Sequence, residues 1–228
     1  MSSAGSAYGL ELHWGKLQLI KVRCIDHVHR PDGTRIEPQT DLLYLGSLVS
    51  DDGRVQRELS RRLGMAGAEF RQLSKIEILN AVIIPKMMYG LAAAWLNTAE
   101  QRKINGFQNR CLRTIWGIKP AFISRVSNLQ VLETTGQKPV TKMLQKQQLL
   151  LYGRVARLED GDLMRNTTFC QGSLHPAVDR FVRKVGRPRL AWTSLVGKLA
   201  LEAAGGLKNL QDTIYDPSAW NNVVETFL

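Results

Sequence analysis

Asp51 and Asp52 stand side by side after the apolar run Leu42 to Val49. Carboxylates at strand ends hold pairs of magnesium ions in enzymes that transfer nucleotidyl groups, so the pair is a candidate metal site. That chemistry needs a third carboxylate on a neighbouring strand, and the nearest in sequence, Asp26 and Asp41, both fall in turn-like contexts. Capping fits the pair better. A helical period begins at Gly53, and a side-chain oxygen of Ser50, Asp51 or Asp52 is placed to accept from its first N–H groups.

Cys24, His27 and His29 form a second compact set whose residue types suit zinc. In an extended strand, however, the two imidazoles face one side and the thiol the other, and no fourth ligand is evident. Cys24, Cys111 and Cys170 are an odd, widely spaced set, unlike a disulfide framework or paired zinc ligands, so reduced thiols are expected. His13 and His175 are isolated. No metal and no other cofactor is expected in this chain.

The strongest signal is charge. The 228 residues carry 31 Lys and Arg against 20 Asp and Glu, a formal net charge of +11. Residues 1–100 hold twelve basic against eleven acidic side chains, 101–157 hold eleven against one, Glu133, and 158–228 hold eight against eight. So one-sided a segment repels itself on folding, and a polyanion lying against it relieves that repulsion. Nucleic acid is the first candidate partner. A solvated basic face, an acidic protein and an anionic membrane surface are the alternatives.

The elements that must carry these residues follow from periodicity. Leu10, Leu12 and Trp14, then Ile20, Val22 and Cys24, alternate as short strands ahead of the turn "RPDGT" (Arg30 to Thr34), and Leu42 to Val49 continues them. From Gly53 the period becomes helical, with Val55, Leu59, Leu63, Ala66 and Phe70 on one face. The longest apolar stretch, Ile78 to Leu96, is interrupted by Asn80, Pro85 and Lys86, which predicts a buried helix pair and no membrane span.

Thr98 and Gln101 have capping-box spacing before a helix to about Trp116, as do Ser127 and Gln130 before a helix stopped by Gly136. In the first of these, Ile104, Phe107, Cys111 and Ile115 share a face, opposite Arg102, Lys103, Arg110 and Arg113. Pro139 opens a long helix to about Leu158 with Val140, Met143, Leu144, Leu151 and Val155 as its core stripe. Lys142, Lys146, Arg154 and Arg157 fall within about a third of its circumference. With Trp116 and Tyr152 near in sequence, these two basic faces suggest a groove that tracks a nucleic-acid backbone. "GRPR" adds Arg187 and Arg189 as a candidate minor-groove hook.

The expected fold class is therefore α+β, mostly α: a small antiparallel β-unit over residues 1–52, a helical bundle over 53–158, and an irregular or helical region over 159–228. The start, "MSSAGSAYGLELHW", has no basic stretch leading into an apolar core, which predicts an intracellular protein, nuclear or cytoplasmic and not secreted.

Several stretches, taken as an ordered set, resemble the later part of the reverse transcriptase of LINE-type, non-LTR retrotransposons. They are "YGLELHWGKLQLIKV", "LLYLGSLVSDDGRVQRELSRRLGMA", "KIEILNAVIIPKMMYG", "FQNRCLRTIWGI", "RVSNLQVLETTGQKPV", "LLYGRVARLED" and "GRPRLAW", covering most of Tyr8 to Trp192. The resemblance implies the end of a polymerase palm, with Lys16 as its lysine, then a thumb that grips template and primer, an RNA·DNA hybrid or duplex, by its backbone. It also implies that the catalytic carboxylates belong to palm strands preceding Tyr8. Magnesium would then serve only the complete RNA-directed DNA polymerase, whose palm and fingers would be a second partner. The chain alone is expected to hold nucleic acid and not to extend a primer. The competing expectations are a basic interaction module for an acidic protein or anionic membrane, and a retroelement remnant without function.

Overall fold

Local turn chemistry shapes the first sixty positions. In the computed structural model, which describes Gly9 and residues 12–22, 24–177 and 191–227, the "RPDGT" turn closes as the sequence implies. Arg30 N–H donates to Thr34 O at 2.8 Å, Thr34 N–H to Asp32 Oδ1 at 2.8 Å, and Gly33 takes φ 83°. Trp14–Lys16 form a single 3-10 turn, so the expected first strand is absent there. The second survives as β1 (Leu19–Ile20), paired in parallel with β2 (Pro38–Gln39).

The run Leu42 to Val49 is two strands. β3 (Asp41–Tyr44) and β4 (Ser47–Ser50) pair antiparallel from Asp41↔Ser50 to Tyr44↔Ser47. Leu45 (φ 47°) and Gly46 (φ 79°) make the two-residue turn, and positive φ at both positions matches the twist of a tight hairpin. Apolarity hides this break because Leu43, Tyr44 and Leu45 are all exposed.

The chain divides into a compact unit of residues 1–58 and another of 59–228. Helix α1 (Gln56–Gln72) buries Leu59, Ala66 and Phe70 of the expected stripe. Next, α2 (Ile76–Ile78), a π-helical turn (Leu79–Ile83) and α3 (Ile84–Met88) run on without a break in direction of the backbone hydrogen bonds, and Ile84 N–H reaches back to Leu79 O. The wide turn precedes Pro85, which has no N–H to donate. Gly90 (φ 76°) ends this helix, and Leu91–Ala93 form only a 3-10 turn where a second helix was expected. Among the described residues no helix is long and apolar enough to cross a membrane.

Helix α4 (Thr98–Ile115) is capped by Asn97 and Glu100, one residue before the expected pair; Gln101 donates to Leu96 O instead. A four-residue helix, α5 (Ala121–Ser124), precedes α6 (Asn128–Thr135), which has the expected Ser127/Gln130 box and Gly136 stop. Helix α7 (Val140–Ala156) follows Pro139. Its core positions are Val140, Leu144, Leu149, Tyr152, Val155 and Ala156, while Met143 is 37% exposed. The stripe read from sequence was too narrow because α7 is covered on several sides.

The short α8 (Leu163–Thr168) is capped by Asp162, and α9 (Trp192–Ala204), α10 (Leu207–Ile214) and α11 (Pro217–Phe227) complete the chain. Leu149, Tyr152, Phe169, Val196, Ile214 and Trp220 share one core, so residues on both sides of position 158 contribute to it. Trp220 Nε1 donates to Leu149 O at 2.9 Å, and Trp192 Nε1 to Ala92 O at 2.9 Å. The fold is α+β and mostly α, with its β-strands confined to the N-terminal unit among the described residues.

Candidate nucleic-acid interface

Helix α4 carries the basic face. Arg102, Lys103 and Arg110 are exposed on it. Arg113 was expected with them, but it is only 8% exposed. Its guanidinium donates to Lys119 O at 2.9 Å, Val126 O at 2.7 Å and Asn128 Oδ1 at 3.3 Å. The loop after α4 folds back over the last turn of the helix, and its carbonyls, which have no helical partner, take the guanidinium out of solvent.

Helix α7 is largely spoken for by the C-terminal helices. Lys142 Nζ lies 5.4 Å from the centroid of the Phe227 ring, Lys146 pairs with Glu225, and Arg157 Nη1 donates to Ile214 O at 2.7 Å. Burial, with Arg154 adding to it, holds the Arg157 guanidinium below its ordinary pKa. Arg154 alone of the four is exposed. Arg187 and Arg189 lie outside the described residues. Three of the four basic side chains of α7 thus have partners in the C-terminal helices, and Arg154 is the exposed one. A helical wheel gives angular position and is blind to which later helix docks on that arc.

What the structure adds is a cleft between α1 and α4. It has a volume of about 310 Å³ and is lined in part by Gly64, Gly67, Arg71, Phe107, Arg110 and Cys111. A Cβ at Gly67 would make an ordinary contact with Phe107 Cε2 at 3.7 Å, and one at Gly64 would meet nothing within 4 Å. Arg71 and Arg110, both exposed, give the cleft two cations and no acidic side chain in its lining. Burial pushes the Cys111 thiol up to about 11, so it is a neutral, apolar part of the floor. Arg71 was missed by the sequence reading.

The remaining candidates have structural work. Asp41 accepts from Ser50 Oγ at 2.6 Å and from Arg57 Nη1 at 2.6 Å, and the Ser50 hydroxyl together with Arg57 lowers its pKa. Asp52 Oδ1 accepts from Arg54 N–H at 2.8 Å, a turn placed ahead of α1. His27 Nδ1 accepts from Lys21 Nζ at 3.0 Å, and Arg35 followed by Lys21 lowers the imidazole's pKa; a cation there opposes a second one. Cys24 Sγ sits 3.6 Å from Asp26 Oδ2, Lys16 is exposed, and no group of three His, Cys, Asp or Glu among the described residues could hold a metal ion. Among the described carboxylates, Asp41 and Asp52 are already bonded to neighbouring donors.

No family model matches the chain, and neither does any curated protein or solved structure.

Proposed function

We propose that the helical unit binds nucleic acid by its backbone, in the way a reverse transcriptase thumb would hold template and primer. The carrying observation is the exposed cationic row Arg102, Lys103 and Arg110 on one rigid helix, joined by Arg71 across the cleft. Phosphates are contacted by such rows without reading bases, so this interface distinguishes duplex shapes and not sequences. On this proposal the chain belongs with LINE-type retroelement polymerases as a gripping part, and its own residues perform no nucleotidyl transfer.

Titration of a labelled RNA·DNA hybrid at rising salt tests it. The logarithm of affinity should fall linearly with the logarithm of salt concentration, by a slope of about 0.7 to 0.9 for each phosphate neutralised. Arg102→Glu combined with Arg110→Glu should weaken binding and flatten the slope. Affinity that ignores both salt and these substitutions overturns the proposal, and retention by an acidic protein in the presence of competing hybrid would favour the protein-partner reading.

A further inference from the structure

The segment between α4 and α6 is built as a fixed platform. Gly117 (φ 64°) ends α4 while Ile118 N–H bonds Arg113 O at 2.9 Å, and the Ser127/Gln130 box restarts the chain. Between those ends, Arg113 ties Lys119 O and Val126 O together from beneath. A buried, triply bonded arginine holds this loop in one shape.

The side chains displayed on that shape are not ones that solvent favours. Phe122 is 77% exposed and Ile123 54%, with Trp116 at 40% and Leu129 at 66% on the flanks. Lys119 and Arg125 are exposed on the same loop, and no carboxylate lies in sequence between Glu100 and Glu133. An aromatic face beside two cations is complementary to an unpaired nucleotide, whose base stacks while its phosphates meet the charges. A membrane fits less well, because α5 has four residues and cannot lay down the extended apolar face of an interfacial helix.

We infer that the loop carrying Lys119, Phe122 and Arg125 is a second nucleic-acid contact that takes a single strand, stacking a base on Phe122. It rests on the backbone-binding proposal above, and it places the unpaired strand at the end of α4 beyond the row that would hold duplex.

The test measures fluorescence anisotropy of the full chain with labelled single-stranded DNA, single-stranded RNA and an RNA·DNA hybrid duplex, alongside vesicles of phosphatidylserine and phosphatidylcholine. Phe122→Leu keeps an apolar side chain and removes the ring; it should weaken single-strand binding about tenfold and leave the hybrid unchanged. Phe122→Trp should restore single-strand affinity. The DNA and RNA arms show which strand is preferred, and either preference supports the inference. If the hybrid binds while Phe122→Leu matches wild type on single strands, the loop inference alone fails. If no nucleic acid binds, both fail. Binding to anionic vesicles that depends on Phe122, with no such dependence for oligonucleotides, also overturns it. Because Phe122 is largely exposed, neither substitution disturbs the core.

Discussion

Gln108 and Val140 are joined across two helices: the Gln108 side chain accepts Val140 N–H at 2.9 Å and donates to Lys138 O at 2.9 Å. Pro139 gives α7 no side-chain cap, so the first N–H groups of that helix are satisfied from α4, with Asn105 Oδ1 accepting from Thr141 N–H at 3.1 Å. A side chain 32 positions away thus does the work of a local cap. Gln108→Leu, of similar volume, takes the acceptor from the buried Val140 N–H and should cost about 1–3 kcal/mol in chemical unfolding. An unchanged midpoint would show that water or Asn105 replaces it.

Arg113 and Arg110 should separate stability from binding. Arg113→Leu strips three hydrogen bonds from a buried guanidinium and should destabilise by about 1.5–3 kcal/mol. Arg110→Ala, at an exposed site, should stay within about 0.5 kcal/mol of wild type. In the salt titration the effect should reverse, with Arg110→Ala reducing the slope and any Arg113 effect following its unfolding. Calorimetry and hybrid titration on both variants check the pair.

Gly153 is a packing requirement. A Cβ there would fall 2.4 Å from Trp220 Cδ1 and Nε1, and the indole is fixed by its bond to Leu149 O. Gly153→Ala should destabilise by about 1–3 kcal/mol, through crowding that outweighs alanine's better helix propensity. Combining it with Trp220→Leu should give a double variant less unstable than the sum of the two; simple additivity would mean that the two residues do not meet.

Thiol chemistry should distinguish Cys111 from Cys24. Cys111 is buried and its pKa is raised from 9.0 to about 11, whereas Cys24 is exposed. Alkylation of the native chain near pH 8 should label Cys24 first and Cys111 only on unfolding. Below about 9 the thiol is protonated in both states, and as pH rises from there toward about 11 the unfolded chain ionises first, so stability falls. Cys111→Ala should flatten that part of the pH profile, and an equal slope in both proteins would contradict the assignment.

Magnesium should not confer primer extension on this chain. Asp41 is held by Ser50 and Arg57, and Asp52 by the Arg54 turn, and among the described residues no group of three His, Cys, Asp or Glu could hold an ion. Extension assays with magnesium or manganese should give template background only. Extension that Asp51→Asn or Asp52→Asn abolishes would reverse this reading.

Local features were legible because they are written in neighbouring residues. The "RPDGT" turn, the Ser127/Gln130 box and the Gly136 stop need only a few adjacent side chains and a glycine, and each forms at the expected positions. The Leu42–Val49 run hid its turn for the same reason in reverse. Apolar alternation reports burial, but Leu43, Tyr44 and Leu45 are exposed, and the turn is set by positive φ at Leu45 and Gly46.

Sequence by itself determined the mostly helical class, the concentration of positive charge between positions 101 and 157, and the absence of an apolar span uninterrupted by polar residues or proline. Tertiary structure decided which of those charges are engaged by other parts of the chain. Arg113 is drawn under the loop after α4, and Lys142, Lys146 and Arg157 are engaged by helices that come much later in the chain. Periodicity fixes the angle of a side chain about its own helix axis, whereas exposure depends on what packs there, and that partner is specified by residues tens of positions away.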